Sequence, residues 1–450
     1  MKLIKHIIFT DIDDNKKLMI NSLNGLMDQV DYSIFETITN WKASANIIPN
    51  TEWEKSLYDH LQARGYLVNS HDEEIAKKEQ ILEALRKRNT NRKANKGHIT
   101  FIMTYDCNFR CPYCFEEMVS EHDEEQATHA KKAVLTPTLI DAALAFAGED
   151  LRSIALFGGE PLLPKTRPAL EYLLSRVPDK VYSIATNGYY LEEFFDLLSK
   201  INLSQVKVTL DGEEETHNSR RYLANKEPTY QKVMAGIKKY LENQIPVCIR
   251  MNVDASNIAT GKRLKMKLLK EFSAFENLLS FEMSPIIGAT INERAKIFLD
   301  LYHSDIENSQ EERERRNRLF GTGTPFLNAI TIKKRPEPVY TLCAAHENGF
   351  SFDPHGKIFP CLVAVGNDEL AIGTYYPAVK FEENSLRDRN IDSIPQCREC
   401  KYSLLCGGGC ALVLNDYRKL FRPECLTIKS QIHRLLPAFY QMEQRQGEDA

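Results

Sequence analysis

Short apolar runs and longer amphipathic stretches alternate along this chain, and changes in their period divide it into segments. Near the start, His6-Ile-Ile-Phe-Thr10 and Lys17-Leu-Met-Ile-Asn21 read as strands, and Asp31 to Trp41 and Glu52 to Arg64 as helices, the second closed by Gly65. Tyr66-Leu-Val68 reads as a third strand with an exposed edge, so residues 1–71 are expected to form a small α+β unit. Residues 72–97 are densely charged. Glu79-Gln-Ile-Leu-Glu-Ala-Leu-Arg86 predicts one bridging helix, and the basic stretch Lys87 to Lys96 a flexible, solvated turn.

Beyond His98 the pattern becomes regular. Ile99-Thr-Phe-Ile-Met103, Ile154-Ala-Leu-Phe157, Val181-Tyr-Ser-Ile184, Val206-Lys-Val-Thr-Leu210, Val247-Cys-Ile-Arg-Met251 and Leu279-Ser-Phe-Glu-Met283 are strand-like, with helical periodicity between them. That order predicts parallel strands with crossover helices, an α/β partial (β/α)6 barrel over 98–290 whose functional groups sit at the carboxyl ends of its strands. A helical connection follows over 291–340, including Glu311 to Arg318. Residues 341–450 then form a cysteine-rich region with an amphipathic last helix from Ile428 to Gln444, kinked at Pro437.

At 450 residues and 43% hydrophobic content the chain has room for several cores. A net charge of -4, from 58 basic and 62 acidic residues, excludes strong attraction to nucleic acid. The apolar run after Met1 stops at Asp11, too short for a signal segment, and no run of ~18 apolar residues occurs. A cytoplasmic protein without a membrane partner is expected. Its 11 cysteines suit thiolate ligands in a reducing compartment better than disulfides, and Cys248, in a strand pattern, is expected as a small core residue.

Ten of those cysteines are patterned. Cys107, Cys111 and Cys114 have Cys-x3-Cys-x2-Cys spacing, which lets one loop place three thiolates on a cubic 4Fe-4S cluster and leaves the fourth iron open. With no fourth ligand nearby they make a poor closed zinc site. Residues 98–290 thereby resemble the radical S-adenosylmethionine (SAM) enzymes, with Tyr113 at the aromatic position before the third cysteine. The resemblance implies that SAM chelates the open iron and is cleaved to a 5'-deoxyadenosyl radical. It implies SAM contacts from Gly158, Gly159 and Glu160 after the second strand, from Ser183 and Asn187 on the third, from Thr209 on the fourth with Arg221 beyond it, and from Arg250 and Asn252 on the fifth.

Cys343-x12-Gly356-x4-Cys361, Cys397-x2-Cys400-x5-Cys406-x3-Cys410 and Cys425 fit the seven-cysteine SPASM pattern. A two-zinc domain is the structural alternative. The SPASM resemblance implies two auxiliary 4Fe-4S clusters, a distal one on Cys397, Cys400, Cys406 and Cys425 and a proximal one on Cys343, Cys361 and Cys410. The proximal set is one ligand short: either its open iron takes a substrate thiolate, or His346 or His355 closes it.

Enzymes with this module mostly modify peptides, and residues 1–71 resemble the winged-helix-like recognition element that binds a leader peptide as an added strand, here expected at Tyr66 to Val68 or its neighbour. The expected activity is that of a sactipeptide- or ranthipeptide-type maturase, joining a cysteine sulfur to a residue carbon of a ribosomally made precursor and reduced by a flavodoxin or ferredoxin. Carbon-carbon or carbon-oxygen crosslinking is the alternative. Formylglycine formation fits less well, because the sulfatase maturases carry Asp where Leu362 follows Cys361. A non-catalytic peptide-binding scaffold would not need the intact cysteine loop.

Overall fold

The computed structural model describes residues 1–42, 44, 46–114, 133–286, 293, 297, 324–331, 334–414, 420–438 and 441. The expected helix from Glu311 to Arg318 lies outside these residues.

The first unit has strands β1 (Lys2–Leu3), β2 (Ile7–Asp11), β3 (Lys16–Asn21) and β4 (Leu26–Asp31), helices α1 (Tyr32–Lys42) and α2 (Glu52–Ala63), and strand β5 (Leu67–Val68). Strands β2, β3 and β4 form an antiparallel meander, and β5 pairs with β1. Strand β4 escapes the hydrophobic pattern because only Val30 of Leu-Met-Asp-Gln-Val-Asp is buried. The readable signal was Asn24-Gly25, a hairpin-turn pair just before it. The expected exposed edge at Tyr66 to Val68 is corrected. All three residues are buried, at 2% exposure or less; β5 pairs with β1 alone and β4 with β3 alone among the described residues, but of β4 only Val30 is buried.

The expected bridging helix is present but longer, and the basic stretch from Lys87 to Ala94 continues it instead of forming a flexible turn. Ser70 caps a single 24-residue helix, α3 (His71–Ala94), its hydroxyl accepting from Glu73 N. Its charges are spent on the C-terminal region: Arg86 on Asp392 at 2.7 Å, Arg92 on Glu347 at 3.0 Å and Lys93 on Asp388 at 3.6 Å. Polar sequence here signals a docked helix whose partners are ionic.

The barrel strands are β6 (His98–Ile102), β7 (Ser153–Phe157), β8 (Val181–Thr186), β9 (Asn202–Thr209), β10 (Val247–Val253) and β11 (Leu279–Pro285), all parallel and in sequence order. Helices α4 (Pro137–Ala147), α5 (Arg167–Arg176), α6 (Phe195–Leu198), α7 (Glu214–Arg220), α8 (Tyr230–Glu242) and α9 (Ile258–Glu271) lie between them. Ile154, Leu156, Ile184, Val206, Val208, Ile249 and Met251 share one hydrophobic cluster with Leu170, Leu173, Ile237 and Leu264 of the helices. Period-two alternation therefore turns Ser183, Lys207, Thr209, Arg250, Asn252 and Glu282 to the opposite, polar face. Cys248 is buried as expected, but on that polar face, near Lys207, Arg250 and Glu282.

After helix α10 (Pro325–Thr331), strands β12 (Ser351–Phe352), β13 (Lys357–Phe359), β14 (Gly373–Thr374) and β15 (Lys380–Phe381) extend the barrel sheet to ten strands, β12 lying parallel to β6 in the register Ser351 to Thr100. Helices α11 (Ser403–Cys406) and α12 (Leu426–Ser430) complete the order, the latter widening into a π-turn over Gln431–Leu435. The irregularity precedes Pro437, whose ring has no N–H and crowds the carbonyl four residues back. Residues 439–440 and 442–450 lie outside the description.

The first unit shares its cores with the cysteine-rich region. Ile8, Ile12, Leu18 and Ile20 pack with Leu405, Cys406, Ile428 and Ile432. Ile4, Tyr66 and Leu67 pack with Ile391, Ile394, Cys397 and Leu404. No helix among the described residues is long and apolar enough to cross a membrane.

Candidate active site and thiol groups

Cys107, Cys111 and Cys114 follow β6, at the carboxyl end of the barrel. Their loop is clamped from two sides. Arg110 N donates to Tyr222 O at 2.9 Å and Ala224 N to Asn108 O at 3.1 Å, while Gly159 N and Glu160 N donate to Thr104 O and Asp106 O at 2.9 and 2.8 Å. A Cβ on Gly158 would stand 2.3 Å from Thr104 O, and one on Gly159 2.4 Å from Asp106 O. The two glycines thus let backbone approach the cysteine loop itself.

Glu160 is fully buried beneath this contact, where burial pushes its carboxyl upward. It accepts from Thr186 Oγ1 at 2.6 Å, Asn187 N at 2.7 Å and Leu162 N at 2.9 Å, which ties the ends of β7 and β8 together. Asn187 Nδ2 in turn reaches Asn108 Oδ1 at 2.8 Å and Cys107 Sγ at 3.8 Å.

Tyr113 is the hub of the opposite wall. Its hydroxyl bonds Asp211 and accepts from Arg221 Nη1 at 2.8 Å, and Arg220 stacks over its ring at 4.8 Å. Burial, then Asp211, push its phenol pKa up. Arg221 is buried, held charged by Tyr113 and Cys111 against the cost of burial. Its Nε and the Nδ2 of Asn108 are buried donors without a partner among the described residues, as a site for a carboxylate or a sulfur anion requires. Asp211, not singled out from the sequence as a site residue, organises this wall: its carboxylate also takes Asn252 N at 3.0 Å and approaches Arg220 Nε at 3.5 Å.

Farther along the polar face, Arg250 and Lys207 both pair with Glu282, at 2.5 and 2.6 Å, and Arg250 Nε reaches Asn252 Oδ1 at 3.2 Å. Thr209 lies beside Arg250 in register, and Ser183 beside Gln205. These four expected SAM contacts therefore share one barrel face; Arg250 and Asn252 are also engaged with each other.

In the C-terminal region, Cys397, Cys400, Cys406 and Cys425 line one cavity of about 270 Å³ together with Lys401, Tyr402 and Lys429. Burial pushes the Cys397 thiol up to about 11, with Cys400 and Cys425 adding to the rise. Cys343, Cys361 and Cys410 form a second group. Desolvation, then Cys410 and Cys361, push Cys343 up to about 12, although the residue as a whole is exposed, and burial pushes Cys361 up to about 11. Ligation of such thiols releases protons. No group of three or more His, Cys, Asp or Glu among the described residues is arranged to hold a single metal ion. A cubic cluster instead takes one thiolate per iron.

Between Cys406 and Cys410 the chain passes through Gly407, Gly408 and Gly409, all with positive φ, and a Cβ on Gly409 would stand 2.0 Å from Glu424 O. This turn separates two cysteines only four positions apart into different groups. His346 is buried with its pKa lowered to about 4 by burial, and its Nδ1 donates to Leu386 O at 2.7 Å. His355 is exposed and stacks on Tyr105 at 5.9 Å, beside Asp353, which accepts from Tyr105 Oη at 2.8 Å. Its packing is thus against the segment leading into Cys107.

Residues 101–254 match the radical SAM superfamily. A probable GTP 3',8-cyclase of Archaeoglobus fulgidus is 27% identical over 59% of this chain and 86% of its own. A cysteine-type anaerobic sulfatase-maturating enzyme of Clostridium novyi is 25% identical over 68% of this chain and 85% of its own. The radical SAM cyclopropyl synthase TigE of Paramaledivibacter caminithermalis is 21% identical over 88% of this chain and 87% of its own. In fold, the chain resembles Streptococcus suis SuiB bound to its precursor peptide SuiA, with a TM-score of 0.55, 13% identity, and coverage of 95% of this chain and all of that one. Residues 101–254 are thus a radical SAM domain, and that superfamily implies SAM and a 4Fe-4S cluster.

Proposed function

We propose that this chain is a peptide maturase that forms a thioether between a cysteine sulfur and a residue carbon of a ribosomally made precursor. The carrying observation is the grouping of Cys343, Cys361 and Cys410, three thiols where a closed cubic cluster would take four ligands. Residues 341–450 serve as a SPASM-type domain with two auxiliary 4Fe-4S clusters, the four-thiol set closed and the three-thiol set open to the substrate sulfur. On this reading neither His346, whose Nδ1 donates to Leu386 O and leaves Nε2 available, nor His355, stacked on Tyr105, completes the three-thiol set.

Cys107, Cys111 and Cys114 would hold the cluster, which together with SAM would supply the radical chemistry needed to take hydrogen from the peptide. The protein's own task is positioning. Arg221 and Asn108 offer buried donors to the SAM carboxylate, Gly158, Gly159 and Glu160 hold the cysteine loop and present backbone to its amino group, and Ser183, Asn187, Thr209, Arg250 and Asn252 face its nucleoside. Residues 1–71 act as the recognition element, with the leader peptide added to the edge of β4. An external flavodoxin or ferredoxin supplies electrons.

The test is anaerobic incubation of the reconstituted enzyme with SAM, reductant and a cysteine-containing candidate precursor peptide. A product two hydrogens lighter whose cysteine resists alkylation supports the thioether. The same mass loss with a reactive cysteine supports carbon-carbon bonding, the second reading, which is favoured by the near full-length match to the cyclopropyl synthase. Formylglycine formation is disfavoured by Leu362 after Cys361.

A further inference from the structure

Arg389 has no exposed surface, yet every hydrogen bond of its guanidinium goes to backbone carbonyls: Nε to Leu420 O at 2.8 Å, Nη1 to Gly409 O at 2.5 Å, and Nη2 to Gly408 O and Arg422 O at 2.5 and 2.9 Å. No carboxylate pairs with it among the described residues. A buried cation without a counter-charge is among the most destabilising features a fold can carry, and it persists only where an anion compensates it. Carbonyl dipoles take four of its five N–H donors but leave the unit charge.

Its surroundings show where compensation would come from. Gly408 and Gly409 are the two residues preceding Cys410, and a Cβ on Gly408 would stand 3.2 Å from Arg389 Nη1. The guanidinium therefore sits inside the Cys406 to Cys410 turn, where the four-thiol and three-thiol groups diverge. Its strongest electrostatic partners are Cys410, Cys397, Cys406 and Cys343, two from each group. Lys401 and Lys429 at the cavity rim face the four-thiol group alone, whereas Arg389 faces both.

We infer that Arg389 is the shared counter-charge of the two C-terminal thiol groups, buried between them to neutralise the anionic centres built there and to raise the reduction potentials of both. This rests on the proposal that both groups hold iron-sulfur clusters. Each cluster gains negative charge on reduction, so a fixed cation in a low-dielectric interior favours the reduced form of each. One residue thereby sets two potentials together and keeps them in a fixed relation. Arg389 acts through the clusters and touches no substrate.

The test isolates the auxiliary centres in full-length protein carrying Cys107, Cys111 and Cys114 as alanine, with Arg389→Gln and Arg389→Lys compared by iron content and by redox titration followed by electron paramagnetic resonance. The glutamine variant should load iron with both midpoints lowered, shifting the oxidised-to-reduced ratio at fixed potential at least tenfold, or 59 mV for a one-electron couple. The lysine variant, keeping the charge but not the fork, should stay within that shift. Should glutamine prevent loading while lysine loads with near-native midpoints, the requirement for charge stands. Unchanged midpoints in the glutamine variant, a shift at one centre only, or equal loss of iron in both variants would overturn the inference and leave Arg389 a structural strap. Fewer than about eight irons in the alanine background itself would instead refute the two-cluster reading, and the inference with it.

Discussion

The hydroxyl of Tyr113 and the carboxylate of Asp211, 98 positions apart, share a hydrogen bond that joins the three-cysteine loop to the end of β9. Arg221 completes the triad through Tyr113. A residue placed by one short loop is thus oriented by the far side of the barrel, and two arginines crowd a single carboxylate.

Tyr113→Phe should therefore weaken SAM binding about tenfold, ~1.4 kcal/mol, by leaving Arg221 and Asp211 each short of a partner in a buried site. Asp211→Asn should cost more, because it also leaves Arg220 and Arg221 less compensated. Calorimetric titration of SAM into loaded protein checks both, and equal affinity in the three proteins would contradict the arrangement.

Gly159→Ala should cost the barrel its cluster, since the new methyl would meet Asp106 O at 2.4 Å and Tyr105 O at 2.6 Å, backbone atoms that cannot yield. Iron analysis should show about four fewer irons than the roughly twelve of three cubic clusters. The same loss, with SAM cleavage abolished, is expected of Cys107, Cys111 and Cys114 changed together to alanine.

Cys406→Ala and Cys410→Ala should act on different auxiliary centres although only four positions separate them. Cys406 belongs with Cys397, Cys400 and Cys425 and lines their cavity, whereas Cys410 faces Cys343 and Cys361. Resonance spectra of the reduced proteins should lose different signals, and adding a cysteine-containing precursor should perturb the signal absent from the Cys410 variant alone. Identical spectra in the two variants would count against the grouping.

Acid should destabilise the fold through two buried histidines. His346 has its pKa lowered to about 4 by burial, and His217, buried against Thr229 and near Arg221, is lowered well below its usual value. In the unfolded chain each titrates near ~6.5, so between that value and the folded one the unfolded state binds more protons. Their stabilisation is complete above pH ~6.5 and falls away toward pH ~4, by up to ~3 kcal/mol for His346. Thermal unfolding across this range should show the loss, and His217→Gln should flatten part of the slope.

Removing residues 1–70 should cost the protein its C-terminal region, not only peptide recognition. Ile8, Ile12, Leu18 and Ile20 pack around Leu405, Cys406, Ile428 and Ile432, and four such side chains at ~1.5–3 kcal/mol each match the whole stability of a typical domain. A truncation starting near Glu73 should be insoluble or lose auxiliary iron. Recognition is better tested by hydrogen exchange on the intact chain. Leader peptide should protect the amides of Leu26–Asp31 and leave those of Leu67–Val68 unchanged.

What could be read from the sequence was carried by short-range chemistry. Six apolar runs placed the six barrel strands within a few residues, because a strand buried on one face and packed under helices must be written locally in its own side chains. The Cys107, Cys111 and Cys114 spacing was readable because the three thiols share one short loop after β6, inside the segment that matches the radical SAM superfamily, whereas Cys343, Cys361 and Cys410 meet only in the fold. Tertiary structure decided the rest. Strand β4 exists because β3 offers it a partner, the charged stretch from His71 to Ala94 is a rigid helix because its partners Asp392, Glu347 and Asp388 arrive from some 250 to 310 positions away, and the first unit is wedged into the cysteine-rich region through cores neither could close alone. Arg389 looks in sequence like any surface charge. Only the folded turn of Gly407, Gly408 and Gly409 encloses it between two groups of thiols, because burial and the company of distant charges are properties of the packed chain and leave no local pattern.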